Sequence, residues 1–255
     1  MNSESRHVLD RLRQRVARIE GRRAAKHHAV PGRQADMSSF RGIRSGRVHE
    51  LLADTKDAAS AVAFASMLVV QSADKPLLWL RTVAAMRRGG QLYGPGLADL
   101  GLDPNRLLIG LLPDDASLLR AAGDAARCGA LGVLVVECWG NPRALDLTAT
   151  RRLTLAAERS GVTVLLLRLD AAEAPGAVET RWRATSAPSR ALLANAPGQP
   201  TLGLELLRQR GGPAGALMTL EWRRDERRFA APDTGALVPL VRERALDALP
   251  RQASG

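Results

Sequence analysis

Aromatic residues make up only 3% of the 255-residue chain, too few for the exposed stacking platforms that hold single-stranded nucleic acid. There are two cysteines, Cys128 and Cys138, without the spacing of a zinc knuckle or a redox pair, so both are expected as reduced thiols. No apolar run reaches the roughly 18 residues of a membrane-spanning helix. Met1 to His7 lead into a charged segment, not an apolar signal, so no membrane contact is expected and the cytoplasm is the expected compartment. Histidine is scarce, and the His27-His28 pair has no further ligands at sensible spacing; no metal site is expected. Lysine is nearly missing too. Of 37 basic side chains only Lys26, Lys56 and Lys75 are lysines, which leaves 37 − 3 = 34 arginines. The net charge of +11 suits contact with phosphates, although genome composition alone can produce arginine in a chain this rich in Ala, Leu and Gly. Apolar residues, at 45%, are ample for a core, which excludes disorder throughout.

A further absence lies between an apolar strand and a helix, at residues 48–61. A phosphate-binding loop reads G-x-x-x-x-G-K-[ST], because glycines let backbone N–H groups curl around phosphate and the lysine reaches the terminal phosphates. Ala53 and Ala58 stand at the two glycines and Ala59 at the lysine; only Ser60, the magnesium-ligand position, keeps its type. Lys56 lies three positions too early. The segment is either a degenerate nucleotide site or an ordinary strand-turn-helix, and no cofactor is expected.

Periodicity organises the rest. Val8, Leu9, Leu12, Val16 and Ile19 recur at helical spacing among arginines, giving an amphipathic N-terminal helix over residues 1–21. Residues 22–46 have no periodicity and read as a basic arm. A core over residues 47–235 then alternates. Strands are expected at 48–52, 76–80, 107–111, 132–137 and 162–168, and helices at 58–71, 94–100, 116–127 and 148–160. Continuous apolar strands between helices mean a parallel sheet covered on both faces. Residues 181–186, 201–210 and 216–222 alternate by twos around Gly211-Gly212-Pro213, as an antiparallel edge with one solvated face does. Residues 236–255 form a short amphipathic tail with Leu240 and Leu246 on its apolar side. Both terminal segments can pack on the core or on a partner.

In ATPases of this topology a carboxylate ending a middle strand holds magnesium, a glutamate after the second strand activates water, and a polar residue ending another strand senses the γ-phosphate. Glu137 takes the first place, no carboxylate follows Leu80 for the second, and Arg168 takes the third. Since both end neighbouring strands, Glu137 and Arg168 are expected to pair and close the vacated pocket, an unpaired buried charge being costly.

The order and spacing of several segments resemble the ImuA proteins, RecA-like accessory factors of bacterial inducible mutagenesis. The resemblance runs through the opening helix at 9–21, Gly46-Arg47-Val48-His49-Glu50-Leu51, and residues 92–108 around Tyr93-Gly94-Pro95-Gly96. It continues at 128–137, 151–162 and 204–212. It implies a RecA-like α/β fold: a mainly parallel sheet flanked by helices, with a C-terminal antiparallel extension and the N-terminal helix on its arm. It also implies a non-catalytic, cytoplasmic adaptor, nucleoid-associated when DNA damage induces it. Such an adaptor acts with ImuB and a DnaE-type polymerase in error-prone translesion synthesis, and RecA and further copies of itself are additional expected partners. The alternatives are a DNA-binding RecA paralogue or RecA-modulating factor, and a SulA-like cell-division inhibitor. The stripe from Val8 to Ile19, with Leu240 and Leu246, is the expected partner interface. Non-specific DNA contact would fall to Arg22, Arg23, Lys26, Arg41 and Arg44 of the arm and to Arg223, Arg224, Arg227 and Arg228.

Overall fold

The computed structural model describes residues 43–70, 75–192, 196 and 198–232. The expected N-terminal helix, the arm up to residue 42 and the tail over 236–255 lie outside the described residues. Nine strands form one sheet in the order β3-β2-β4-β5-β1-β6-β7-β8-β9. They are β1 (Val48–Ala53), β2 (Leu77–Thr82), β3 (Leu107–Leu112), β4 (Val133–Trp139), β5 (Thr163–Leu169), β6 (Thr180–Ser186), β7 (Thr201–Gln209), β8 (Leu217–Arg223) and β9 (Arg228–Ala230). From β3 to β6 every pairing is parallel, and β7, β8 and β9 add on antiparallel. This is the mainly parallel sheet with an antiparallel extension that the sequence predicts.

Helices cover both faces, because β1 and β5 are buried at every residue and need apolar partners on either side. On one face α1 (Ala58–Val70) packs with Phe64, Ala65 and Met67 against Leu51, Leu165 and Trp182. The short helices α2 (Val83–Gly89) and α3 (Gly94–Asp99) follow β2, and Leu97 of α3 joins the same core. Trp222 and Phe229 close that core beneath the antiparallel strands, ring centroids 4.9 Å apart. On the opposite face α4 (Asp115–Ala125) and α5 (Leu147–Ser160) lay Leu118, Ala122, Leu153 and Ala157 on Leu134, Val136 and Leu166.

Three features differ from the sequence reading. Helix α2 was not predicted; Thr82 caps it by accepting the Ala85 amide at 3.0 Å. Strand β9 was missed because it is only three residues long. Strand β6 is not part of an antiparallel edge: it lies parallel to β1 and antiparallel to β7, joining the two halves of the sheet. Its period-two pattern comes from Thr180, Trp182 and Ala184 entering the core while Arg181 is buried on the other face by an internal ion pair.

A buried histidine sits in the middle of this seam. The Trp182 indole N–H donates to the Thr180 hydroxyl at 2.8 Å, which lies 2.7 Å from His49 Nδ1, while His49 Nε2 lies 3.0 Å from the Arg44 carbonyl. A neutral ring serves these contacts: one nitrogen accepts, from the Thr180 hydroxyl or from the Arg44 N–H that lies 3.1 Å from Nε2, and the other donates. A second ring proton would remove that acceptor. Burial holds the imidazole below its ordinary 6.5. As pH falls through 6.5 the unfolded chain therefore takes up its proton before the folded one, so the stability this ring contributes is complete above that value and lost below it. Urea denaturation between pH 7.5 and 5 should show a decline, bounded by the one-proton limit of about 1.4 kcal/mol per pH unit, that is flattened in His49→Gln. An equal decline in the variant would assign it to other groups.

Candidate functional site

Ligands of open α/β sheets bind outside the carboxyl ends of the strands, so the loop after β1 is the first place to look. Strand and helix are joined by Asp54 and a single 3-10 turn, Thr55–Asp57. The Asp57 amide donates to the Asp54 carbonyl at 3.0 Å, and the Ala58 amide to the Thr55 carbonyl. Two of the N–H groups that a phosphate would require are thereby used. Ala53 is buried at the strand end, Ala58 and Ser60 are half-buried, and Ala59 and Lys56 are exposed. A helix N-terminus favours an anion, and the buried anion beside this one belongs to the chain. Asp57 Oδ1 accepts both the Ser186 amide and the Ser186 hydroxyl at 2.9 Å, tying the start of α1 to the end of β6.

The strand ends beyond are filled by two buried ion-pair clusters on opposite faces of the sheet. On the α1 face, Arg81 Nη2 meets Glu137 Oε1 at 2.8 Å. The same carboxylate accepts the Trp79 indole at 2.9 Å and the Trp139 indole at 3.0 Å. Arg81 also donates to the carbonyls of Gly90 at 2.9 Å and Ala85 at 3.1 Å, fixing α2 and the turn after it. Arg88 stacks 4.6 Å above the Trp139 ring and pairs with Asp170. On the α5 face, Glu50 takes Arg168 at 3.0 Å through one oxygen and Arg181 through the other. Arg168 also bonds Asn141, and Arg181 the Ala174 carbonyl.

Glu137 and Arg168 do not meet, contrary to the expected pair. The register aligns Cys138 with Arg168 and Glu137 with Leu167; side chains alternate across a strand, so the two point to opposite faces. Their partners Arg81, Glu50 and Arg181 were missed. A signal existed, a charged residue inside the apolar runs of β1, β2, β4 and β5, but choosing partners needs the strand order. Between the clusters Cys138 is buried, and desolvation pushes its thiol up to about 12, so it does not form a reactive thiolate.

The other expected positions divide. Arg223 and Arg228 both reach Glu226, and Arg223 also approaches Glu221. Arg228 holds the Glu226 carboxyl below its ordinary range by hydrogen bonding. Arg227 lies against Gly101 and Arg224 is exposed. Arg44 pairs with Glu179 at 3.0 Å. The interface residues Val8 to Ile19, Leu240 and Leu246, and the cationic Arg22, Arg23, Lys26 and Arg41, lie outside the described residues. Among the described residues no three candidate ligands cluster for a metal, and no helix is long and apolar enough to cross a membrane. One surface feature had no counterpart in the sequence reading: β3 ends the sheet with Leu108, Ile109 and Leu111 exposed on its free edge.

No profile of a known protein family matches the chain. Over 192 residues it is 33% identical to Protein ImuA of Caulobacter vibrioides strain NA1000 / CB15N, covering 68% of this chain and 74% of that protein. Protein ImuA of a second strain of the same species matches to the same extent. A crystal structure of the RadB recombinase aligns with 72% of this chain and 90% of its own, at a TM-score of 0.49 and 13% identity. One identity in three, sustained over most of both chains, establishes that this chain belongs to the ImuA family.

Proposed function

We propose that this protein is a non-catalytic, RecA-like adaptor of DNA-damage-induced, error-prone translesion synthesis, working with ImuB and a DnaE-type polymerase. The observation that supports it most is the filling of the strand ends. Asp57 holds Ser186 at the start of α1, and Arg81–Glu137 and Glu50–Arg168–Arg181 take up the positions from which side chains would address a nucleotide. Phosphoryl transfer depends on positioned metal, phosphate-cradling amides and a water-activating group; here Ser60 alone keeps its residue type, Glu137 is engaged by Arg81, and the glycines, the lysine and the water-activating carboxylate are missing. Kinship with ImuA supports the link to mutagenesis. A filament-like grip on DNA has little to use in the loops after β4 and β5: Asp170 and Glu173 engage Arg88, Arg181 and Arg183, and Arg143 is the one basic residue from 138 to 146.

The adaptor reading places the partner surface on the segment from Val8 to Ile19. Co-purification of the full chain with ImuB tests it. Leu12→Asp with Val16→Asp puts two charges on one apolar stripe and should weaken binding at least tenfold, about 1.4 kcal/mol. The melting temperature should stay unchanged, and magnesium-ATP should leave the complex unaffected. A double variant that melts several degrees early yet binds ImuB normally would refute the placement, and magnesium-dependent ATP turnover lost in Ser60→Ala would refute the non-catalytic assignment.

A further inference from the structure

Helices α4 and α5 leave a trough between them on the face opposite α1. Two adjoining cavities, about 400 and 510 Å³, share Arg127 and Arg152 in their walls. The trough exists because the facing positions are small: Ala116 and Gly123 on α4, Ala149 and Ala156 on α5. Its floor is aliphatic, with Leu119 and Leu153, and Leu155 stands on its wall 43% exposed. Its rim is cationic. Arg120 and Arg127 rise from the α4 side, Arg152 and Arg159 from α5, and Asp124 is the single carboxylate among the lining residues. Arg127 pairs with that Asp124 at 3.1 Å. Glu158, next to Arg159 in sequence, turns away to Arg47 and Arg210 and neutralises nothing in the trough. On α5, Arg152 and Arg159 lie three residues before and four after Leu155, on one side of the helix with it.

We infer that this trough docks an acidic amphipathic helix from a different protein, its leucine-like side chains on Leu119, Leu153 and Leu155 and its carboxylates on the four arginines. An apolar floor with a charged rim is the form that helix-in-groove recognition takes. Charge decides the occupant. Residues 1–21 contain Arg6, Arg11, Arg13, Arg15 and Arg18 against Glu4, Asp10 and Glu20, and residues 236–255 contain Arg242, Arg244 and Arg251 against Glu243 and Asp247. Both terminal segments of this chain are therefore basic, and the rim repels them. Duplex DNA would satisfy the arginines but offers its backbone no aliphatic groups to cover the leucines. The inference does not depend on the translesion reading, since it concerns only the chemistry that the trough accepts.

Fluorescence anisotropy on the full chain tests it. The probe is a labelled helical peptide of about 18 residues, leucine at every third or fourth position and glutamate elsewhere. Comparison probes are the same peptide with serine for leucine, a lysine-for-glutamate version, and a DNA duplex of about 20 base pairs. The acidic amphipathic peptide should bind. Arg152→Glu with Arg159→Glu should weaken it at least tenfold and gain affinity for the lysine peptide. Leu155→Asp, an exposed site that leaves every arginine in place, should weaken it comparably, whereas Arg223→Glu with Arg224→Glu should leave it within about twofold. The serine peptide binding equally well would reduce the trough to a patch of charge and overturn the inference. So would an equal loss on reversing Arg223 and Arg224, duplex DNA displacing the peptide from Arg152 and Arg159, or no binding at all.

Discussion

Replacing Glu50 by Gln should cost about 3 to 5 kcal/mol, the range for removing one member of a buried ion cluster. Glu50 is 2% exposed, and its two oxygens are divided between Arg168 and Arg181, themselves 3% and 6% exposed. Gln keeps the shape and one acceptor but removes the carboxylate that both guanidinium groups contact; among the described residues Glu173 stands 3.8 Å from Arg181. In a domain of this size the loss corresponds to a fall in melting temperature of about 10 °C. A mutant cycle separates this arrangement from the pairing expected from sequence. Arg168→Met combined with Glu50→Gln should deviate from additivity by more than about 1 kcal/mol, because the second change removes a charge that the first left unpaired. Arg168→Met combined with Glu137→Gln should be additive within about 0.5 kcal/mol, since they lie on opposite faces. Coupling to Glu137 and none to Glu50 would mean that the register of β4 on β5 is wrong.

That cycle marks the boundary of what was legible. Strands β1 to β5 were visible as apolar runs, and α4 and α5 as 3.6-residue patterns, because burial on two faces or on one stripe leaves a local trace. The lack of glycines and lysine after β1 was visible because that motif is contiguous. What fills the space was not. Arg168 pairs with Glu50, 118 positions away, and choosing Glu50 over Glu137 requires knowing that β1 and β4 flank β5 and that Cys138 is the residue aligned with Arg168. A register shift of one residue reverses every such choice. Arg181 was misread for the same reason: alternation reports that one face is polar, not whether water or a carboxylate satisfies it. Helix α2 was within reach, with Thr82 as its cap and Gly90 just beyond its end. The exposed leucines of β3 were beyond reach, because nothing local distinguishes an edge strand from a central one when both are apolar.

The second large effect is expected at Arg81. Arg81→Met should cost about 3 to 5 kcal/mol, because three interactions fail together. Glu137, 1% exposed, loses its counter-charge and retains only the Trp79 and Trp139 indoles. The Gly90 and Ala85 carbonyls lose the donor that anchors α2. Adding Glu137→Gln should restore part of the loss, since an amide oxygen still accepts an indole hydrogen and leaves no charge buried. The same variant examines whether Glu137 keeps any affinity for magnesium. If that carboxylate were a metal ligand masked by Arg81, deleting the guanidinium would free it, and millimolar magnesium would stabilise Arg81→Met by mass action. No such rescue is expected. Glu137 has both oxygens turned to indole hydrogens inside the α1-face core, and with Arg81 gone the Gly90 and Ala85 carbonyls are the oxygens it leaves beside that carboxylate, short of the octahedral set magnesium requires. Denaturation of Arg81→Met with and without magnesium should give coincident curves. A shift specific to magnesium, abolished by Glu137→Gln, would show that the strand end is a metal site held closed by its own arginine.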